Sequence, residues 1–287
     1  MDWVIFALLA AFFDATYYLL IKKHASNVNP YALFTKVFFF AGILSLIVSY
    51  IKGFPALGSN FYPALIITIV TNAVAAILYF KALEKTDLSV AVPMLSFTPV
   101  FLILISFLIL GEIPSWIGAI GIFVVVIGSY VLNSTKDDSG IFAPLRSIFR
   151  DRGTIYMLIV AFLYSITTTY GKMLLENSDF IFGSTIVYFC LGAVFLIMLQ
   201  MTQKKNSSKS RGGFWLVVLL GAATALSSLT VNIAFMTQIV PYVTSVKRLS
   251  ILFSVFYGDF LLKEKNMIRR IIGATIMVVG VILILIT

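Results

Sequence analysis

Long apolar stretches follow one another along the whole chain, parted by short polar breaks. Ten of them fall at about 2–21, 31–51, 61–81, 89–110, 115–132, 154–173, 180–201, 214–236, 242–262 and 267–286. Each is near the roughly 20 residues that a helix needs to cross a bilayer. The pattern predicts an all-α integral membrane protein with ten transmembrane helices. All breaks but one are too tight to hold a soluble domain. The exception, 133–153, opens polar from Asn133 to Gly140 and then mixes apolar and basic residues through Arg150. It reads as a cytoplasmic linker, either a short interfacial helix or an irregular loop broken at Pro144.

The breaks and helices also repeat. Glu112, Gly121 and Gly128 recur 152 residues later as Glu264, Gly273 and Gly280, with Ala82 opposite Ala234. At an offset of 150, Leu8, Ala11, Phe12 and Lys22 fall opposite Leu158, Ala161, Phe162 and Lys172. The chain therefore reads as one five-helix unit written twice, over 1–132 and 154–287. Five is odd, so the second unit must enter the membrane from the opposite side. Two inverted five-helix repeats would enclose a site near a pseudo-two-fold axis in the membrane plane.

Composition agrees. The chain is 60% hydrophobic and 11% charged, with a mean hydropathy of +1.03, whereas a soluble domain carries about 25% charge. A net charge of +9 might point to nucleic acid, but the basic residues cluster in short loops beside apolar helices, so nucleic acid is not an expected partner. With Lys36, Lys247 and Arg248 set aside as embedded, 18 basic residues remain, 16 on one face, with Lys52 and Lys172 on the other. Positive residues favour the cytoplasm, which places both termini outside. The first segment opens on Asp2, is long, and is followed by Lys22-Lys23, so it should be retained rather than cleaved as a signal. A single cysteine, Cys190, excludes an intrachain disulfide.

The stretch Ala82-Leu83-Glu84-Lys85-Thr86, then Pro93, Pro99-Val100-Phe101, Leu110-Gly111-Glu112 and Gly121/Gly128, resembles the EamA-type repeat of the drug/metabolite transporter superfamily. Ala234-Phe235, Lys263-Glu264 and Gly273/Gly280 repeat it more loosely. The resemblance implies alternating access, with the first four helices of each half lining the cavity and the fifth at the periphery. It identifies transport without identifying cargo. Lys247-Arg248 departs from the first half, where Leu95-Ser96 stand opposite. Such a pair resembles the sugar-phosphate and nucleotide-sugar branch of the superfamily, where it grips phosphate.

Buried charge supplies the candidate chemistry. Lys247 and Arg248 each cost about 2.5–3.5 kcal/mol at mid-membrane, so the pair needs a role. Thr244, Lys247, Ser250, Ser254 and Gly258 form one polar stripe on the ninth segment. The pair is read as an anion clamp, or else as a structural partner for Asp14 or a snorkelling pair. Asp14, close to the midplane, has three competing roles: counter-ion to Arg248, ligand for a cationic substrate, or proton-coupling carboxylate. Lys36 either lines the cavity or snorkels. Segment 6 carries Tyr164, Ser165, Thr167, Thr168, Thr169 and Tyr170, and its repeat partner carries Asp14, Thr16, Tyr17 and Tyr18. These hydroxyls bind substrate or hold helices together. Asn72 and Asn232 are expected in a cavity or between helices, and Tyr79 and Tyr242 as gates or interface anchors. Glu112 and Glu264 read as turn residues beside a helix N-terminus.

No His-Glu-x-x-His, Gly-x-Ser-x-Gly, P-loop or Cys/His cluster occurs, so neither an enzyme, a cofactor nor a metal is expected. The expected function is secondary transport of a small polar or anionic metabolite. Residues Lys247, Arg248, Asp14, Tyr17, Asn72, Tyr79, Tyr164, Thr168, Asn232, Ser250 and Ser254 make up the expected site. Export of amino acids or amphipathic compounds, with the basic pair structural, is the alternative, and a membrane scaffold that does not transport is another. Expected partners are the small-molecule substrate, protons or a counter-substrate, and the lipid bilayer, with a homodimer left open. The expected location is the plasma membrane of a prokaryote.

Overall fold

The computed structural model describes residues 2–24, 29–83, 85, 92–133, 152–202, 213–253 and 267–287. The first half holds α1 (Asp2–His24), α2 (Pro30–Lys52), α3 (Phe61–Leu83), a 3-10 helix (Val92–Phe97) running into α4 (Thr98–Leu110), and α5 (Trp116–Asn133). The second holds α6 (Arg152–Glu176), α7 (Phe182–Thr202), α8 (Phe214–Thr237), α9 (Val240–Lys247) and α10 (Met267–Leu285). Among the described residues six helices are long and apolar enough to cross a membrane, namely α1, α2, α3, α6, α7 and α8, while α4, α5 and α10 supply shorter apolar runs. Large apolar side chains such as Ile47, Ile66, Leu108, Ile127 and Ile282 point outward, as expected of surfaces bathed in lipid.

Local signals fix the ends. Asn29 caps α2, its Oδ1 accepting from the amides of Tyr31 and Ala32 at 3.0 and 3.3 Å, with Pro30 at the first turn. Gly111 ends α4 with φ 70°, and its amide and that of Glu112 reach back to Phe107 and Ser106. This closing turn needs a left-handed residue, which glycine supplies without steric cost. It also aims Glu112 at the second half.

The halves interleave rather than sit side by side. The most extensive helix pairs are α5 with α10, α3 with α6, α2 with α7, and α1 with α8. Exchanging the halves maps α1–α8 onto α6–α3 and leaves the other two pairs unchanged, as a pseudo-two-fold requires. The contacts run in opposite directions along the chain. A Cβ on Gly121 would stand 2.7 Å from the Gly280 carbonyl oxygen, and one on Gly128 2.8 Å from that of Gly273. Gly42 meets Phe189 and Gly192 meets Phe39 in the same antiparallel manner. Equivalent helices are thus antiparallel, and only a missing side chain lets α5 and α10 approach this closely.

Two predicted helices differ. Segment 4 begins as a 3-10 helix before turning α-helical at Thr98. Segment 9 is not one smooth helix: α9 stops at Lys247, Arg248-Leu249 form a turn, and helix resumes at 250–253. The linker at 134–151, Ser254, Gly258 and Glu264 lie outside the described residues.

Candidate functional site

A cavity of about 320 Å³ lies between the halves, near the small end of the roughly 300–1,000 Å³ usual for small-molecule sites. Among the described residues it is lined from α1, α3, the 3-10 helix, α4, α6, α7, α8, α9 and the segment that follows. No lining residue comes from α5 or α10. None comes from α2 either, although its counterpart α7 contributes Ser184, Val187 and Tyr188.

Pseudo-equivalent positions face each other across this space. Asp14 and Tyr164 stand at the 150-residue offset, as do Tyr18 and Thr168. Leu95 and Lys247 stand at the 152-residue offset, as do Thr98 and Ser250. The second half therefore places a cation where the first places a leucine. The other opposed position has no charge at all, since Ser96 is buried against Ser129 at 2.7 Å while Arg248 lines the cavity.

Lys247 Nζ lies 3.0 Å from Asp14 Oδ2, and the Ser227 hydroxyl donates to Asp14 Oδ1. The carboxylate thus has a partner on each oxygen. The sequence favoured Arg248 as its counter-ion, but the ion pair goes to Lys247. Lys247 ends α9, which packs against α1, and Arg248, whose amide still reaches Thr244 and Ser245 at 3.1 and 3.2 Å, stands about 100° around the helix axis from it.

Arg248 pairs with no carboxylate among the described residues, and its buried Nε has no hydrogen-bond acceptor. Four buried side-chain polar atoms lack a partner among the described residues, and three of them, Thr68 Oγ1, Thr244 Oγ1 and Arg248 Nε, belong to residues lining this cavity. Buried donors and acceptors are nearly always satisfied, so such clustering marks a place built for something other than self-packing.

Other lining groups are already engaged. Asn232 donates to the Phe180 carbonyl at 2.9 Å and to Ser184 Oγ at 2.8 Å, and Ser228 donates to the same Ser184 Oγ at 3.1 Å. Asn72 donates to the Thr68 carbonyl at 2.9 Å, Thr168 to that of Tyr164 at 2.7 Å. Thr71 and Thr167 hydroxyls join α3 to α6 at 2.6 Å. Of the expected residues, Lys247, Arg248, Asp14, Asn72, Tyr164, Thr168, Asn232 and Ser250 come together here. Tyr17 packs instead against the Leu33–Leu220 cluster, and Tyr79 against Ala75, Ala82 and Met157. Lys36 is exposed. Sequence reasoning missed Ser227, Tyr188 and Ser184, which sit in long apolar helices beside other polar residues. Tyr18, named among the segment 1 hydroxyls though not in the expected site, lines the cavity and stands opposite Thr168 at the repeat offset.

A second charged cluster covers the end of the cavity nearest the chain termini. Lys172 is salt-bridged to Glu112, with side chains only 10% and 9% exposed. Lys172 also donates to the Gln238 carbonyl at 2.9 Å, and Glu112 Oε2 accepts from the Val240 amide at 2.8 Å. Glu112 thus caps α9 of the opposite half, and a carboxylate at a helix N-terminus is favoured. Lys172, expected as a flanking charge, is instead buried at the end of α6. Nearby, Lys52 reaches Asp179 at 2.9 Å, and Tyr242 accepts from the Ser115 amide at 2.8 Å. The Gly58 amide donates to the Asn177 carbonyl at 2.9 Å. All of these contacts except Lys172 to Gln238 join one half to the other.

Two helical repeats enclosing a cavity between them match the architecture of a two-repeat membrane transporter. The chain belongs to the EamA-like transporter family, which matches residues 1–134 and again 151–286. Membership in the drug/metabolite transporter superfamily follows. An uncharacterized transporter of Archaeoglobus fulgidus is 24% identical over 247 residues, covering 82% of this chain and 81% of that protein. A solved crystal structure superposes with a TM-score of 0.80 at 15% identity, covering 98% of this chain and 96% of that one. That likeness concerns the fold alone.

Proposed function

We propose that the protein is a secondary transporter of small organic anions, whose ten helices cross the membrane with both termini outside, in the plasma membrane of a prokaryote. The observation that carries the reading is Arg248, a half-buried cavity-lining residue whose buried Nε has no hydrogen-bond partner among the described residues. An embedded cation of this kind is expensive and normally serves a ligand or ion path. The inverted repeats support alternating access, in which the halves rock about the cavity. On this reading the contacts of Lys52 with Asp179 and of Glu112 with Lys172 and Val240 part when the site faces outward, and hold when it faces the cytoplasm. Asp14 either balances charge or exchanges a proton during the cycle.

Solute counterflow in proteoliposomes tests the reading. Labelled organic acids should accumulate transiently in vesicles loaded with the same unlabelled acid, and Arg248→Gln should abolish that uptake. Counterflow of amines or neutral compounds alone, unaffected by Arg248→Gln, would favour the amino-acid and amphipath exporter. The Lys247–Asp14 pair lends that second reading its one support, because it makes Lys247 structural.

A further inference from the structure

We infer that the cavity selects small organic monocarboxylates over dianions and zwitterions, because Asp14 cancels one of its two cations. This inference rests on the anion-transport reading and narrows it. Among the described lining residues, three are charged at neutral pH: Asp14, Lys247 and Arg248. Lys247 is held 3.0 Å from Asp14, so their charges offset each other and the described lining keeps one net positive charge, on Arg248.

A single uncompensated guanidinium matches a single carboxylate. Its planar fork takes the two carboxylate oxygens side by side, and the buried Nε–H supplies one of the donors. A second negative charge on the solute would meet Asp14 rather than a free cation, in a site where burial makes like-charge contact costly. A zwitterion would bring an ammonium to a cavity whose carboxylate is already taken by Lys247 and Ser227. The unpartnered hydroxyls of Thr68 and Thr244 suit a body bearing hydroxyl or carbonyl groups. A phosphate-gripping pair would need both cations free, and here only one is.

The charge count can be edited. Asp14→Asn raises the site to two net positive charges. Lys247→Met lowers it to zero. The double variant Asp14→Asn/Lys247→Met removes the pair and leaves Arg248 alone, restoring a count of one. The experiment is calorimetric titration of the purified full chain with lactate and gluconate, with succinate and glycerol phosphate, and with alanine. The wild type should bind the monocarboxylates about tenfold or more tightly than the dianions or alanine. Asp14→Asn should reverse the order in favour of dianions, Lys247→Met should weaken every anion, and the double variant should recover the wild-type order.

The double variant keeps the test decisive if Asp14→Asn does not fold. Dianions binding the wild type as well as or better than monocarboxylates would overturn the charge count while leaving anion transport standing. A double variant that prefers dianions would do the same. A wild type that responds to no anion, with Arg248→Gln indistinguishable from it, would overturn the anion reading itself.

Discussion

Of the three lysine–carboxylate pairs that join the halves among the described residues, two are built to opposite standards. Lys172–Glu112 is sealed: the lysine has a second acceptor at Gln238, the glutamate a second donor at Val240, and both side chains are nearly buried. Lys247–Asp14 is left half open, with side chains 27% and 20% exposed to the cavity, and the adjacent Arg248 has a buried Nε with no partner. The same chemistry therefore does two jobs. Where every donor and acceptor is used, the pair holds two halves together. Where one cation is left over, the pair sets the charge of a site.

The largest effect expected from breaking this contrast is at the sealed pair. Lys172→Met strands Glu112 in a buried position and should cost about 3–5 kcal/mol, read as a fall in the thermal midpoint in detergent. Replacing both partners, as Lys172→Met/Glu112→Gln, should recover much of it, because no unpaired charge is then left behind.

Next comes the helix contact that sets the two-fold. Gly121→Leu drives a side chain into the Gly280 backbone, where even a Cβ would stand 2.7 Å from the carbonyl oxygen. An overpacking cost of about 1–3 kcal/mol is expected, whereas the same change at the open Gly213 should cost little.

The exposed pair should matter least among the ion pairs. Lys52 is 41% exposed, so Lys52→Ala should cost about 0–1 kcal/mol. Its signature is in acid. Burial pushes the Asp179 carboxyl up, but the hydrogen bond from Lys52 and those from the Phe182 and Ile181 amides outweigh it and hold the group below its ordinary value. A depressed folded value means that its contribution is fully present above the ordinary carboxylate range and fades as pH falls through the depressed one. Asp179→Asn should therefore lower the neutral plateau by that modest contribution and flatten the acid limb, so that the variant and wild-type curves converge as pH falls through the depressed value.

Smallest of all in stability is Arg248→Gln, expected within about 0.5 kcal/mol or slightly stabilising, since it removes a buried donor that already lacks a partner. Its effect should fall on ligand response instead. That separation is the contrast in its sharpest form.

Much of the fold was legible because it is written in repeated small residues and long apolar runs. Gly121, Gly128, Gly273 and Gly280 were marked in the sequence as repeated positions, and they meet in antiparallel pairs, 121 with 280 and 128 with 273. What spacing could not tell is that they meet across the halves, since any of several helices could have used such a face. The polar stripe through Thr244, Lys247 and Ser250 also reached the cavity as read. The partner of Asp14 was not legible. Lys247 and Arg248 are neighbours in sequence, and which one meets Asp14 depends on how α9 is rotated against α1, a tertiary packing that no local pattern announces. Lys172 was taken for a flanking charge because it sits near the end of an apolar run. Its burial follows only from Glu112, 60 residues earlier and placed by the glycine turn at the end of α4.

The most direct test is the thermal stabilisation that lactate produces in the wild type, Arg248→Gln and Lys172→Met. A ligand that binds the folded state raises its stability in proportion to the logarithm of concentration over dissociation constant. The account predicts that Lys172→Met starts from a lower midpoint but keeps the lactate-induced rise, while Arg248→Gln starts near the wild type and loses it. A rise that survives Arg248→Gln and vanishes in Lys172→Met would contradict it, and would move the anion site from the cavity to the sealed pair.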